Sequence, residues 1–267
     1  MTPVLVEKGD RPVILGQPHG GTDMPDAVRA RLNERGQRLD DTDWHISQLY
    51  DGLVDDITVV KATFHRYVID ANRDPTGQSL YPGQNTTTLC PTTDFDGEPI
   101  WNDGSAPSAA DIAARQRAFH TPYHEALTAE LERIKSLHGF AILYDCHSIR
   151  SNIPYLFAGQ LPVFNIGTND GVTCAPVVQE AVHRVCRNAS EFDCVQNGRF
   201  KGGWTTRHYG LPSNGVHAIQ MELAQRSYMH EHAPWAYSET RAHQIRPYLS
   251  QILSALKALS LSDLACS

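Results

Sequence analysis

The chain has 267 residues, of which 41% are hydrophobic and 20% charged, and carries a formal net charge of −7. That length suits one large α/β domain or two small ones, because a single core stops growing at roughly 250–300 residues. The charge is spread without a Lys/Arg cluster, which argues against a nucleic-acid surface or an anionic-membrane footprint.

No Ser/Gly linker or low-complexity tract divides the sequence, so one domain over 1–267 is expected. No apolar run approaches the roughly 18 residues needed to span a bilayer, and MTPVLVEKGDRP lacks a signal pattern, so the expected location is cytoplasmic. Cys90, Cys146, Cys174, Cys186, Cys194 and Cys266 are scattered without CxxC pairs, which signals neither a zinc knuckle nor a disulfide framework. Oligomeric state leaves no mark at this level.

Leu5 and Val6, then residues 13–15, read as opening strands, and GQPHGGTDMP interrupts them with a loop that carries His19. Asp26 caps a helix reaching Asn33. A second helix is expected within LDDTDWHISQLYDGLVDDI, where Ile46, Leu49, Tyr50 and Leu53 fall at helical spacing and Asp41 or Asp43 stands in the first turn. A carboxylate there gains from the amino-terminal dipole and can still face a site, although a simple N-cap is the plainer reading. Residues 57–62 and 66–70 both read as strands, and the second runs into Ala71, Asn72, Arg73, Asp74 and Pro75.

Residues 76–107 are rich in Gly, Pro, Thr and Asp and exceed the roughly 12–15 residues usual for an unstructured connection, so a functional loop or lid containing short strands is expected. Residues 108–137 form the clearest helix, with Ile112, Phe119, Tyr123, Leu127, Leu131 and Ile134 on its apolar stripe and Pro122 kinking or dividing it. The run FAILYDCHSI, residues 140–149, is a buried strand that delivers Asp145, Cys146 and His147 at its carboxyl end, where open α/β sheets keep their chemistry. A strand at 164–168 and a helix at 175–188 follow, and KGGWTTRHYG reads as a loop holding Arg207 where an anion could bind. VHAIQMEL is a strand with Glu222 near its end, and residues 238–261 form a final long helix. Strands alternating with helices predict a mixed, mainly parallel sheet covered by helices on both faces.

A hydrolytic metal needs three protein ligands, an open position for water and a separate carboxylate to take the water's proton. His19, Asp43 and His147 are the candidate ligands and Glu222 the candidate base. Asp145 is expected to point away from His147, as a group that could orient a neighbour rather than a ligand. His120 and His124 share a helical face, but HTPYH lacks the glutamate of a metalloprotease helix and Pro122 disturbs it. Arg66, Arg73 and Arg207 are candidate anchors for a small acidic substrate, since guanidinium grips carboxylates in a bidentate fork. Alternatively each pairs with a structural aspartate, Arg73 having Asp70 and Asp74 beside it. Cys146 is a poor nucleophile for His147, because adjacent strand residues point opposite ways.

Seven segments in order, PHGGTDMP, DTDWHISQLYD, HRYVIDANRDP, YDCHSIRSNIP, NIGTNDGVTCAP, KGGWTTRHYG and IQMELAQRSYM, resemble the N-formylglutamate amidohydrolase (deformylase) family of histidine degradation. The resemblance implies a phosphorylase/hydrolase-like α/β fold shared with zinc carboxypeptidases and aspartoacylases, one zinc ion, and release of formate from N-formyl-L-glutamate. DANRDP is similar to the segment with which aspartoacylase-like enzymes hold a substrate carboxylate, which implies that role for Asn72 and Arg73. Glu222 is placed like the late-strand catalytic glutamate of zinc carboxypeptidases. Those peptidases use His-x-x-Glu, whereas Thr22 stands third after His19 here, so the second ligand comes from elsewhere. By analogy with zinc amidases it is Asp43, with Asp23 and Asp41 in reserve. Cobalt, manganese or iron would suit the same ligands. Rival readings are an amidohydrolase for another N-acyl amino acid, a non-catalytic metal-dependent binder of acidic ligands, and a cysteine hydrolase centred on Cys146.

Overall fold

The computed structural model describes residues 1–79 and 83–265. Its strands are β1 (Val4–Glu7), β2 (Val13–Gln17), β3 (Thr58–Ala62), β4 (Ala141–Ile149), β5 (Phe164–Gly167), β6 (Cys194–Gln196) and β7 (Val216–Ala224). They join one sheet in the order β1-β3-β2-β4-β7-β5-β6. Strands β3, β2, β4 and β7 run parallel, while β1 opposes β3 and β5 opposes β7. The sheet is therefore mixed and mainly parallel, with helices on both faces, as the alternation predicts.

β4 and β7 are nine residues each, buried throughout, and pair along their whole length with His147 opposite Glu222. Burial on both faces explains their nearly continuous apolar sequence. The pleat then sorts side chains by parity. Ile142, Tyr144 and Cys146 of β4, with Ile219, Met221 and Leu223 of β7, face the helices Pro176–Asn188 and Glu239–Lys257. Leu143 and Ala218 face the other way, onto Tyr123, Leu127, Leu131 and Ile134 of the helix Thr121–His138. Toward the carboxyl ends this second face turns polar, because Asp145 and His147 follow Leu143 while Gln220 and Glu222 follow Ala218. The site forms at that transition.

Several local expectations are corrected. Residues 66–70 are no strand: the Val68 N–H donates to the His65 carbonyl at 2.9 Å and the backbone turns, burying Tyr67, Val68 and Ile69 without a ladder. KGGWTTRHYG is not all loop, since Trp204–Tyr209 is helical. The early helices are shorter than expected, at Asp26–Arg29, Glu34–Gln37 and Ile46–Tyr50. The helix beginning at Ala109, capped by a Ser108–Asp111 box, is not split by Pro122; a π turn at Gln116–His120 absorbs the missing N–H and carries the chain on to His138.

Among the described residues, 76–107 contains no strand, only isolated bridges such as Thr93 with Pro99, and residues 80–82 of that expected lid lie outside the described chain, as does Cys266. The segment is fastened by Arg35 to Asp94 and Asp96 and by Arg150 to Asp96. No described helix is long and apolar enough to cross a membrane.

Candidate active site

After β2 the chain bends so that the His19 loop lies against the backbone leaving β3. A Cβ on Gly21 would stand 2.2 Å from the Thr63 carbonyl carbon, so only glycine permits this approach. The His19 carbonyl accepts the Asp43 N–H at 3.1 Å, and Asp43 Oδ2 accepts the Ser148 N–H at 3.0 Å. Asp43 is thus tied by its backbone to the loop after β2 and by its carboxylate to the end of β4. Asp23 is exposed and pairs through its backbone with Thr63 and His65, and Asp41 accepts the Phe95 N–H; neither reserve reaches the histidines.

Three donor atoms converge. His19 Nδ1 lies 3.2 Å from His147 Nδ1, and Asp43 Oδ2 lies 3.8 Å from the first and 3.5 Å from the second. A tetrahedral ion bound at about 2.0–2.2 Å holds its ligand atoms about 3.3–3.6 Å apart, so this buried triangle fits a metal ion.

The atoms behind the triangle fix its chemistry. His19 Nε2 donates to Asp70 Oδ1 at 2.6 Å, which leaves the Nδ1 lone pair for the cluster. Asp70 is itself held by the Asn72 N–H at 2.8 Å and by Arg66 at 2.6 Å. His147 Nε2 lies 3.0 Å from Asp145 Oδ1, yet that oxygen makes no aligned hydrogen bond, so its influence is mainly that of a nearby charge. This corrects the expectation that Asp145 points away: residues two apart on a strand share a face. The Asn72 amide nitrogen is 3.2 Å from the same Nε2, and its Oδ1 accepts the Thr205 N–H at 2.8 Å.

Burial and the Arg66 charge lower the pKa of His19, against the pull of Asp70. For His147 burial acts downward too, but the carboxylates of Asp145 and Asp43 outweigh it and hold the ring well above its ordinary value. Asp70 is the reverse case, where Arg66 and Arg73 overcome burial and keep the carboxyl well below the usual range. Glu222 faces the same cavity, and burial pushes it up to about 8 against the pull of His147. Its Oε2 accepts from Gln220 Nε2 at 3.2 Å, and Gln220 Oε1 accepts the Gly203 N–H at 2.6 Å, which sets the amide's orientation.

Arg66 and Arg73 line the cavity. Arg66 is buried, with its guanidinium 4.7 Å over the Phe95 ring and Nη1 3.9 Å from Asp43. Arg73 donates to the carbonyl and hydroxyl of Thr87, each at 2.9 Å. Arg207 is not among the described residues lining the cavity; it lies in the helix Trp204–Tyr209, and its Nε donates to the Gly202 carbonyl at 2.8 Å.

Two lining residues were not among the sequence candidates: Gln220, although it stands two before Glu222 in IQMELAQRSYM, and Arg199, which lies outside every quoted segment. His120 and His124 stand behind the site instead of in it, donating to the carbonyls of Arg73 at 3.1 Å and Ala71 at 2.8 Å and so bracketing Asn72. Cys146 faces the opposite core, its thiol raised well above normal by burial, so the cysteine-hydrolase reading loses its geometry.

Residues 11–229 match the family model for N-formylglutamate amidohydrolase. The chain is 46% identical over 252 residues to the N-formylglutamate deformylase of Pseudomonas putida, covering 94% of each. It is 44% identical over 253 residues to that of Pseudomonas aeruginosa, covering 94% of this chain and 95% of the relative. The crystal structure of an N-formylglutamate amidohydrolase from Ralstonia eutropha superposes with a TM-score of 0.78 at 25% identity, covering 96% of this chain and 97% of that one. This chain belongs to the N-formylglutamate amidohydrolase family.

Proposed function

We propose that the chain, as one catalytic domain, hydrolyses N-formyl-L-glutamate to formate and L-glutamate with a single zinc ion held by His19, Asp43 and His147. The observation that carries this reading is the donor triangle in the same cavity as a buried carboxylate, Glu222, and three arginines, Arg66, Arg73 and Arg199. When bound, zinc would supply Lewis acidity to the formyl carbonyl and to a water, and its positive charge would favour the carboxylate form of Glu222.

Glu222 takes the proton of the water that attacks the formyl carbon, then returns it to the departing amine. Arg66 is placed to share negative charge developing on the formyl oxygen. Asn72 and Arg73 hold the carboxylate beside the scissile amide, with the amide of Asn72 fixed by Thr205. The products fit the last step of a histidine degradation route.

The test is formate release from N-formyl-L-glutamate by purified protein, with metal content measured before and after chelation. Turnover should vanish with the metal and return on adding zinc. Zinc-replete protein that releases no formate would remove the deformylase reading.

A further inference from the structure

The substrate named above carries two carboxylates, and Asn72 with Arg73 account for one of them. The cavity is also lined by Arg199, which follows β6 and shares that space with the donor triangle. Its guanidinium is mounted rather than loose. Nε donates to the Leu156 carbonyl at 3.0 Å, Nη2 donates to the Asn85 carbonyl at 3.1 Å, and the group lies 5.4 Å from the centre of the Phe200 ring. Phe200 in turn meets Phe157 edge-on and joins a small apolar cluster with Ile149, Ile153 and Leu161. Carbonyl oxygens and an aromatic face fix the orientation of a guanidinium.

Arg73 and Arg199 grip the same short stretch of chain. Arg73 donates to the Thr87 carbonyl and Arg199 to the Asn85 carbonyl, and residues 85–87 all line the cavity. Two residues of extended chain span at most about 7 Å. With C–C bonds of about 1.5 Å, the two carboxyl carbons of an extended glutamate lie about 5 Å apart, and those of aspartate about 4 Å. Arg73 adjoins Asn72, whose amide touches His147, so it belongs to the carboxylate next to the scissile amide. Arg199 stands two residues further along that stretch, at Asn85, and is left for the other carboxylate.

Resting on the deformylase reading, we propose that Arg199 is the anchor for the side-chain carboxylate of the substrate. Together with Arg73 it makes the site selective for N-acylated diacids with the carboxylate spacing of glutamate. A bidentate guanidinium–carboxylate pair distinguishes a carboxylate from its neutral amide isostere, because the amide can satisfy only part of the fork and none of the charge.

The experiment compares N-formyl-L-glutamate, N-formyl-L-glutamine and N-formyl-L-aspartate on wild type and Arg199→Gln, with metal content checked in each sample. Wild type should favour formylglutamate over formylglutamine by about 100-fold in kcat/KM, in keeping with the loss of a charge-assisted pair. Formylaspartate should fall between them. Arg199→Gln should lose about 100-fold on formylglutamate, mostly through KM, while its rate on formylglutamine changes less than about threefold, so the preference collapses.

An equal fall on both substrates, or no change on either, overturns the anchor. Because Arg199 also holds Leu156 and Asn85, Arg199→Lys serves as a second variant, keeping the charge without the fork and giving an intermediate preference. If wild type turns over none of the three, the deformylase reading fails instead. The anchor is then judged by calorimetric binding of L-glutamate against L-glutamine, where no preference in wild type, or one that survives Arg199→Gln, overturns it.

Discussion

Glu222 and His147 face one another across paired strands, and different forces act on them: burial raises the Glu222 carboxyl to about 8, while the carboxylates of Asp145 and Asp43 outweigh burial and raise the His147 imidazole. A base that acts only on the attacking water should be separable from the atoms that hold the metal. Glu222→Gln is therefore expected to keep its metal content and lose about 1,000-fold or more in kcat, measured by formate release and metal analysis on the same sample. Retained turnover would take the base role from Glu222. Asp70 makes the complementary case, since it touches no donor atom of the triangle yet fixes the tautomer of His19. Asp70→Asn should weaken metal affinity about 10- to 100-fold in a chelator competition, and unchanged affinity would mean that His19 is oriented by something else.

His19, His147 and Glu222 were legible because each ends an apolar run, and an imidazole or carboxylate there has a physical reason to be at the sheet's carboxyl edge. Asp43 needed the family likeness to be preferred over Asp41 and Asp23; what separates it is its backbone bond to His19 and the carboxylate that meets Ser148 and both imidazoles. Arg199 was not legible, for it follows a three-residue strand with no periodic signal.

Among the elements, the pieces that fix the site are the least regular ones. Gly202 has φ +113° and Gly203 is extended, and together they let the helix Trp204–Tyr209 start directly against the Asn72 side chain. A Cβ on Gly203 would stand 2.2 Å from the Asn72 amide nitrogen and 2.6 Å from its oxygen. Gly203→Ala should push Asn72 off the His147 ring and lower kcat/KM at least about tenfold while far-UV circular dichroism stays unchanged. Wild-type kinetics in that variant would show that the position of Asn72 does not matter.

The central strands β4 and β7 were readable as unbroken apolar runs, and the long helices as stripes. Residues 66–70 were misread because RYVID is apolar enough for a strand, yet its side chains fill the core from a turn, which periodicity over five residues does not distinguish. The helix in KGGWTTRHYG was hidden by its glycines and β-branched residues, which score against helix although tertiary contacts supply one.

At the scale of the whole molecule, several histidines are built into the interior as neutral groups, and this ties stability to pH. His124 is the clearest. Its Nε2–H donates to the Ala71 carbonyl at 2.8 Å, and its Nδ1 lies 3.0 Å from the Tyr209 hydroxyl. Burial first, then the neighbouring His120, brings its pKa from the ordinary 6.5 down to about 3. His65 and His120 shift in the same direction for the same leading cause.

A histidine depressed on folding binds its proton more readily in the unfolded chain, so its stabilising effect is complete above pH 6.5 and is lost progressively as pH falls toward 3. His147 shifts the opposite way, so the wild-type curve mixes both signs. The difference between wild type and His124→Gln, at equal metal content, isolates the one group. Their gap in Tm should be widest above pH 7 and narrow by about 5 °C on going to pH 5, since one pKa unit is worth about 1.4 kcal/mol and each kcal/mol about 2–4 °C in a chain of this size. A gap that stays constant across that range would mean the site accepts the imidazolium, and that His124 holds the Asn72 loop by packing alone.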